Sequence, residues 1–362
     1  MRQCNYELHN PIPKGGNVAP RRSEYDVSNQ INTTDPAAVH SEVSRVFLGL
    51  YPRGSPEVVS RAFADCGRLY RGEYSGYHGC DTAYHNLQHV LDVTLAMARM
   101  MDGYERTRER PEPMGERLFS FGILTALFHD IGYLRHRNDT RHRNGAEYTL
   151  RHVSRGARFL EQYMRDIGMP DLAPLAGRII HFTGYEIAVE RIEVPSLMFR
   201  MIGNMLGTAD IIAQMADRCY LEKCRDRLYP EFVGGGLASA ESATERNPAA
   251  LFSSARDLLL KTPGFYRAAA ARLTDHLGAS YHYAKNHFGG QNLYLDEVAK
   301  NIRHAERVAA DGDLGLLRRV PPPTAAEIAS PVTYRALRYT AREPLPAADD
   351  TDDRVRRTTV RT

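Results

Sequence analysis

Residues 83–104 read AYHNLQHVLDVTLAMARMMDGY, and two patterns are superimposed in them. Leu87, Val90, Leu91, Leu95 and Ala98 recur at the spacing of an amphipathic helix. Within the same stretch stand His85, His89 and Asp92, which at i, i+4 and i+7 fall on one helical face, each a turn above the last. A stripe of imidazole and carboxylate is costly to bury unless it binds something.

The 3.6-residue period returns on both sides. Apolar residues at i, i+3, i+4 and i+7 mark helices within residues 36–51, 55–73, 115–130, 145–168, 171–183, 195–224, 251–278 and 292–310, and alternating strand patterns are almost absent. Gly132, Gly168 and Gly184 fall where helices would be capped, and Pro170, Pro195 and Pro248 punctuate. The stretch YPEFVGGGLASAESATERNPAA, residues 229–250, is rich in glycine and small residues and is expected to be a long loop. Residues 1–38 and 319–362 mix Pro, polar and charged residues without a core face, so both are expected to be disordered tails. The expected fold is all-α: a single compact multi-helix bundle over residues 39–318.

Composition excludes little. The chain is 43% hydrophobic and 25% charged, and its net charge of +3 gives no strong nucleic-acid signal. Five scattered cysteines, with no C-x-x-C pair, read as reduced thiols and not as a disulfide framework or a thiolate zinc site. No apolar run is long enough to span a bilayer, and the opening residues lack the apolar core of a signal peptide, so a cytoplasmic protein without a membrane partner is expected. The oligomeric state is left open.

The chemistry lies further along. The apolar helix LFSFGILTALFHDIGY ends in His129-Asp130, and a buried His-Asp dipeptide makes sense where both side chains grip one cation, whose charge offsets the desolvation of the carboxylate. His152 stands among helical positions, His181 follows an apolar step, and Asp210 interrupts a long apolar helix without a basic residue beside it. His89, His129, Asp130, His152, His181 and Asp210 together form an N/O donor set suited to one or two divalent ions, Mg, Mn, Zn or Fe. Glu147 could replace His152.

The order H…HD…H…H…D resembles the HD-domain superfamily of metal-dependent phosphohydrolases, and YHNLQHVLDV resembles the signature of the class I cyclic-nucleotide phosphodiesterases within it. That resemblance implies an HD-domain bundle in which His89, His129, Asp130 and Asp210 hold one metal and Asp130 bridges to a second, completed by His152 and His181. It also implies that His85 is the general acid and that Asn86 orients the same neighbourhood. The family's further histidine, three residues after the HD aspartate, is here Tyr133, and Gln214 and Gln291 are candidates for a base-reading glutamine. Asp92 is expected to hydrogen-bond a ligand histidine from outside, with Glu147 in a similar supporting place. Arg135, in the basic run LRHRNDTRHRNG, is a candidate for phosphate binding.

These residues imply a hydrolase acting on a small-molecule phosphate ester or nucleotide. A phosphodiester, such as a cyclic nucleotide, would be cleaved by a metal-bound hydroxide with His85 as acid and Asp130 in the catalytic pair. A nucleotide phosphomonoesterase is the second reading, and a di-iron oxygenase of HD type the third.

Overall fold

The structure, a computed structural model, describes residues 21–107, 110–239 and 250–324. Among them every regular element is helical, and β-pairing is confined to isolated bridges at Tyr25 with Asn32, Tyr77 with His136 and Ala238 with Phe252. The fold is therefore all-α, and the described residues up to Pro322 belong to one compact unit. No helix in them is long and apolar enough to cross a membrane.

In chain order the helices are α1 (Pro36–Leu50), α2 (Glu57–Arg71), α3 (Leu87–Glu105), α4 (Gly115–Leu127), α5 (His152–Asp166) and α6 (Ala173–Ile179). They continue with α7 (Leu197–Met215), α8 (Tyr220–Lys223), α9 (Tyr229–Gly234), α10 (Ala255–Ala271), α11 (Tyr283–His287) and α12 (Leu293–Asp311). Between Val93 and Tyr104 α3 is buried on every side, so it forms the axis of the bundle, with α1, α4, α7 and α11 packed around it. In α4 the whole run from Phe119 to Leu127 is buried. Both helices carry their apolar residues all round, and that composition drives them inside. The start of α3, the end of α4, the start of α5 and the middle of α7 consequently meet.

The approach of α5 depends on Gly132. A Cβ added there would lie 1.8 Å from the carbonyl oxygen of His152, so only glycine lets the turn after Asp130 pass against the first residue of α5. Gly132 is thus a contact point, not a helix cap, and Gly184 likewise lacks the positive φ of a cap. Gly168, with φ of 85°, does take the left-handed conformation just past α5.

Three boundaries differ from the expectation. Residues 21–38 are packed: Asp26 accepts from the backbone N–H groups of Gln30 and Ile31 and pairs with Arg99 at 2.6 Å, both side chains fully buried. An arginine inside the apolar α3 needs a buried carboxylate, and the polar segment ahead of α1 supplies it. Residues 1–20 lie outside the described residues. The expected loop at 229–250 opens with a helix, α9, because Pro230 at the first turn favours a helical start and Glu231 and Phe232 pack inward. Its residues 240–249 lie outside the described residues. At the other end, Arg319 donates to Asn301 and Arg227 donates to the Pro322 carbonyl, so the packed chain extends past residue 318. Residues 325–362 lie outside the described residues.

Candidate metal centre

Each donor is positioned by its helix end. Asn86 caps α3: its side-chain oxygen accepts from the His89 N–H at 3.2 Å and its amide donates to the Ala83 carbonyl at 2.7 Å. The cap aims His89 inward from the first turn. α4 stops at Leu127, and His129 and Asp130 follow in the turn that leads into Ile131–Tyr133. Asp210 projects from α7, about four turns past its Ser196 cap.

These side chains converge. His89 Nε2 and His129 Nε2 are 3.3 Å apart, and each lies 3.2 Å from Asp130 Oδ2. Asp210 Oδ1 approaches the same two nitrogens at 3.3 and 3.9 Å. Asp130 turns its other oxygen toward His152 Nε2 at 3.5 Å. The aspartate therefore faces imidazole groups with both of its oxygens.

The imidazoles are locked in one tautomer. His129 Nδ1 donates to the Ala126 carbonyl at 2.8 Å, and His152 Nδ1 donates to the Thr149 carbonyl at 2.7 Å. Both rings are left with Nε2 pointing at Asp130, the orientation of a metal-binding histidine held by an outer partner. Asp130 Oδ2 is buried and has no hydrogen bond of good geometry despite its two close nitrogens. A buried carboxylate oxygen in that condition costs several kcal/mol, roughly, unless a cation completes it. The group His89, His129 and Asp130, all buried, can hold a metal ion.

Electrostatics agree with that geometry. Burial pulls His89 toward the neutral form, but Asp130 and Asp210 outweigh it and raise the imidazole to about 10. Burial also opposes ionisation of Asp130, yet His129 and His89 hold its carboxyl well below the usual range. His152, where burial dominates, is shifted down and favours the neutral, lone-pair form.

His85 stands beside this cluster but not on α3, since it precedes the Asn86 cap. The stripe of His85, His89 and Asp92 expected on one helix is broken there. His85 is placed instead by Glu231, whose carboxylate accepts from His85 Nδ1 at 2.6 Å and from the backbone N–H groups of Tyr84 and His85. Its ring stacks on Tyr133 at 4.4 Å, and Tyr133 stacks on His152 at 4.3 Å, so the tyrosine is a spacer between the two imidazoles. Glu231 escaped the sequence reading because it lay in the presumed loop, although Pro230-Glu231 is a helix-start signal.

Other expected site residues lie elsewhere. His181 has its Nδ1 3.5 Å from Glu186 Oε2, and among the described residues it makes no hydrogen bond or ion pair with His89, His129, Asp130 or Asp210. Asp92 does not reach a ligand histidine: one turn further along α3 than His89, its side chain is among Thr33, Asp217 and Lys223. Asn86, expected to orient the substrate's neighbourhood, caps α3 through its side-chain oxygen and donates its amide to the Ala83 carbonyl. Arg135 is held by Asp81 at 2.8 Å and by the His142 carbonyl, and Glu147 closes a capping box with Asn144. Both are committed to the 134–148 connection. Gln214 accepts from the Tyr84 hydroxyl one turn beyond Asp210, whereas Gln291 donates to Asp296 on the surface.

No protein-family model, curated protein or solved structure matches the chain.

Proposed function

We propose that the protein is a metal-dependent phosphohydrolase of HD type that cleaves a phosphodiester, with His85 as the general acid. The observation that carries this reading is the convergence of His89, His129 and Asp210 on Asp130, whose Oδ2 is buried without a hydrogen bond. His89, His129, Asp130 and Asp210 would hold one divalent ion, with Asp130 Oδ1 and His152 offered to a second. Such ions supply Lewis acidity to a phosphoryl oxygen and lower the pKa of a water to roughly 7 in the zinc case.

The chain's own residues supply the rest. With Nδ1 engaged by Glu231, His85 has Nε2 left to deliver a proton to a leaving oxygen. Tyr133 fixes the plane of that ring. A nucleotide ester releases a poor alkoxide leaving group, for which such a donor matters.

The test is turnover of cyclic nucleotides, bis(p-nitrophenyl) phosphate and nucleoside monophosphates by the full chain under Mg, Mn, Zn and Fe(II) in turn. Diester cleavage that EDTA and Asp130→Asn abolish is expected. His85→Ala should lower kcat on alkoxide-releasing diesters by about 10²–10⁴ while sparing the p-nitrophenyl ester, whose leaving group needs no proton. Monoester turnover indifferent to His85→Ala would select the phosphomonoesterase reading, and oxygen uptake with bound iron the oxygenase one.

A further inference from the structure

The turn that follows Asp130 has a second face. Ile131, Gly132 and Leu134 line a cavity of about 370 Å³ that none of His89, His129, Asp130 or Asp210 enters. Its volume falls within the range of small-molecule sites.

The walls combine aromatic faces with guanidinium groups. Tyr77 lies 4.4 Å from the His136 ring and meets Phe159 edge-on at 5.8 Å, while Tyr74 stands edge-on to Tyr77 at 6.3 Å. Arg158 lines the cavity and has no ion pair or hydrogen bond among the described residues. Arg155 lies across the Tyr148 ring at 3.5 Å and donates Nε and Nη2 to the Gly132 and Leu134 carbonyls at 2.8 and 2.9 Å, leaving Nη1 uncommitted. The one carboxylate on the lining, Asp166, already accepts from Gln162 at 2.8 Å. Two guanidiniums against one engaged carboxylate select an anion, and a guanidinium fork matches phosphate oxygens in pairs. Aromatic faces beside it select a planar ring.

We propose that this cavity binds a phosphorylated nucleoside, its phosphate on Arg155 and Arg158 and its base against Tyr77 and Tyr74. The site is separate from the metal cluster and does not depend on the hydrolytic reading.

Calorimetric titration of the full chain in EDTA with AMP, GMP, adenosine and inorganic phosphate tests it. At least one nucleotide should bind, with adenosine and phosphate each weaker by about tenfold or more. Arg158→Glu, at an exposed position, should weaken the nucleotide by about tenfold or more with circular dichroism and melting unchanged, and Tyr77→Ala should weaken it as much with helical circular dichroism retained at the temperature of the titration. His129→Ala should bind it as the unaltered chain does. The proposal is overturned if neither nucleotide binds, if phosphate alone binds as well as the nucleotides, if Arg158→Glu has no effect, or if His129→Ala removes the binding.

Discussion

His85 and His89 are neighbours in sequence with different partners, and the proposed reaction gives them different tasks. His89 shares its Nε2 environment with two carboxylates, while His85 is paired through Nδ1 with Glu231. Glu231→Gln keeps the shape but replaces by an amide the carboxylate that accepts from His85 Nδ1 and from the Tyr84 and His85 backbone N–H groups. Its kcat on alkoxide-releasing diesters should fall about tenfold or more, with metal content unchanged. An unchanged kcat would reduce Glu231 to a structural cap. For His89, Asp130 and Asp210 outweigh burial and hold the ring protonated up to about 10, so a divalent ion has to displace that proton. Metal uptake at pH 7 should therefore release about one proton, read from calorimetry in buffers of different ionisation enthalpy. Affinity should rise with pH. Asp210→Asn weakens both the ligand set and the hold on the proton, so fewer protons should be released.

At the scale of elements, the site exists because four helix segments approach closely, and Gly132 is where that approach is tightest. Alanine there would place a carbon 1.8 Å from the His152 oxygen and 2.8 Å from the Gly156 nitrogen, both backbone atoms that cannot swing away. Gly132→Ala should cost about 2–3 kcal/mol in urea unfolding and withdraw His152 from Asp130. Gly264→Ala, on the exposed face of α10 with no neighbour nearer than 3.8 Å, is the control and should stabilise by about 0.5–1 kcal/mol. Equal behaviour of the two variants would sink the packing account. The helices themselves were legible in the sequence, because burial on one side writes a 3.6-residue period into α2, α5 and α12, and burial all round leaves the long apolar runs of α3 and α4. His129-Asp130 was legible for a related reason, as ionisable residues ending an apolar helix. Contacts that depend on chain reversal were not: Glu231 reaches His85 across 146 residues, and Asp26 finds Arg99 from a segment whose composition resembles a tail. Polar residues satisfied by a distant partner leave no periodic trace.

Across the whole molecule, the surroundings of α3 one turn beyond His89 are tied together by charge pairs. Arg21 pairs with Glu297 of α12, Arg99 with Asp26, and Lys223 of α8 with Asp217, all around a recess that Asp92 also lines. Asp92 is the member with the least compensation. Burial dominates, Lys223 opposes it, Asp217 adds to it, and the carboxyl is pushed up to about 7 from an ordinary 3.8. A raised carboxyl stabilises the fold fully below its unfolded value, where both states are protonated, and that contribution is lost as pH climbs from about 4 through about 7. Asparagine has no proton to lose. Asp92→Asn should therefore gain stability over the unaltered chain steadily across that window, reaching an advantage on the order of a few kcal/mol, and hold it above about pH 8. Urea unfolding at pH 5, 6, 7 and 8 reads the difference directly. A difference that stays flat, or that favours aspartate at pH 8, would mean that Lys223 compensates the charge fully and that this network stabilises by pairing, not despite a stranded carboxylate.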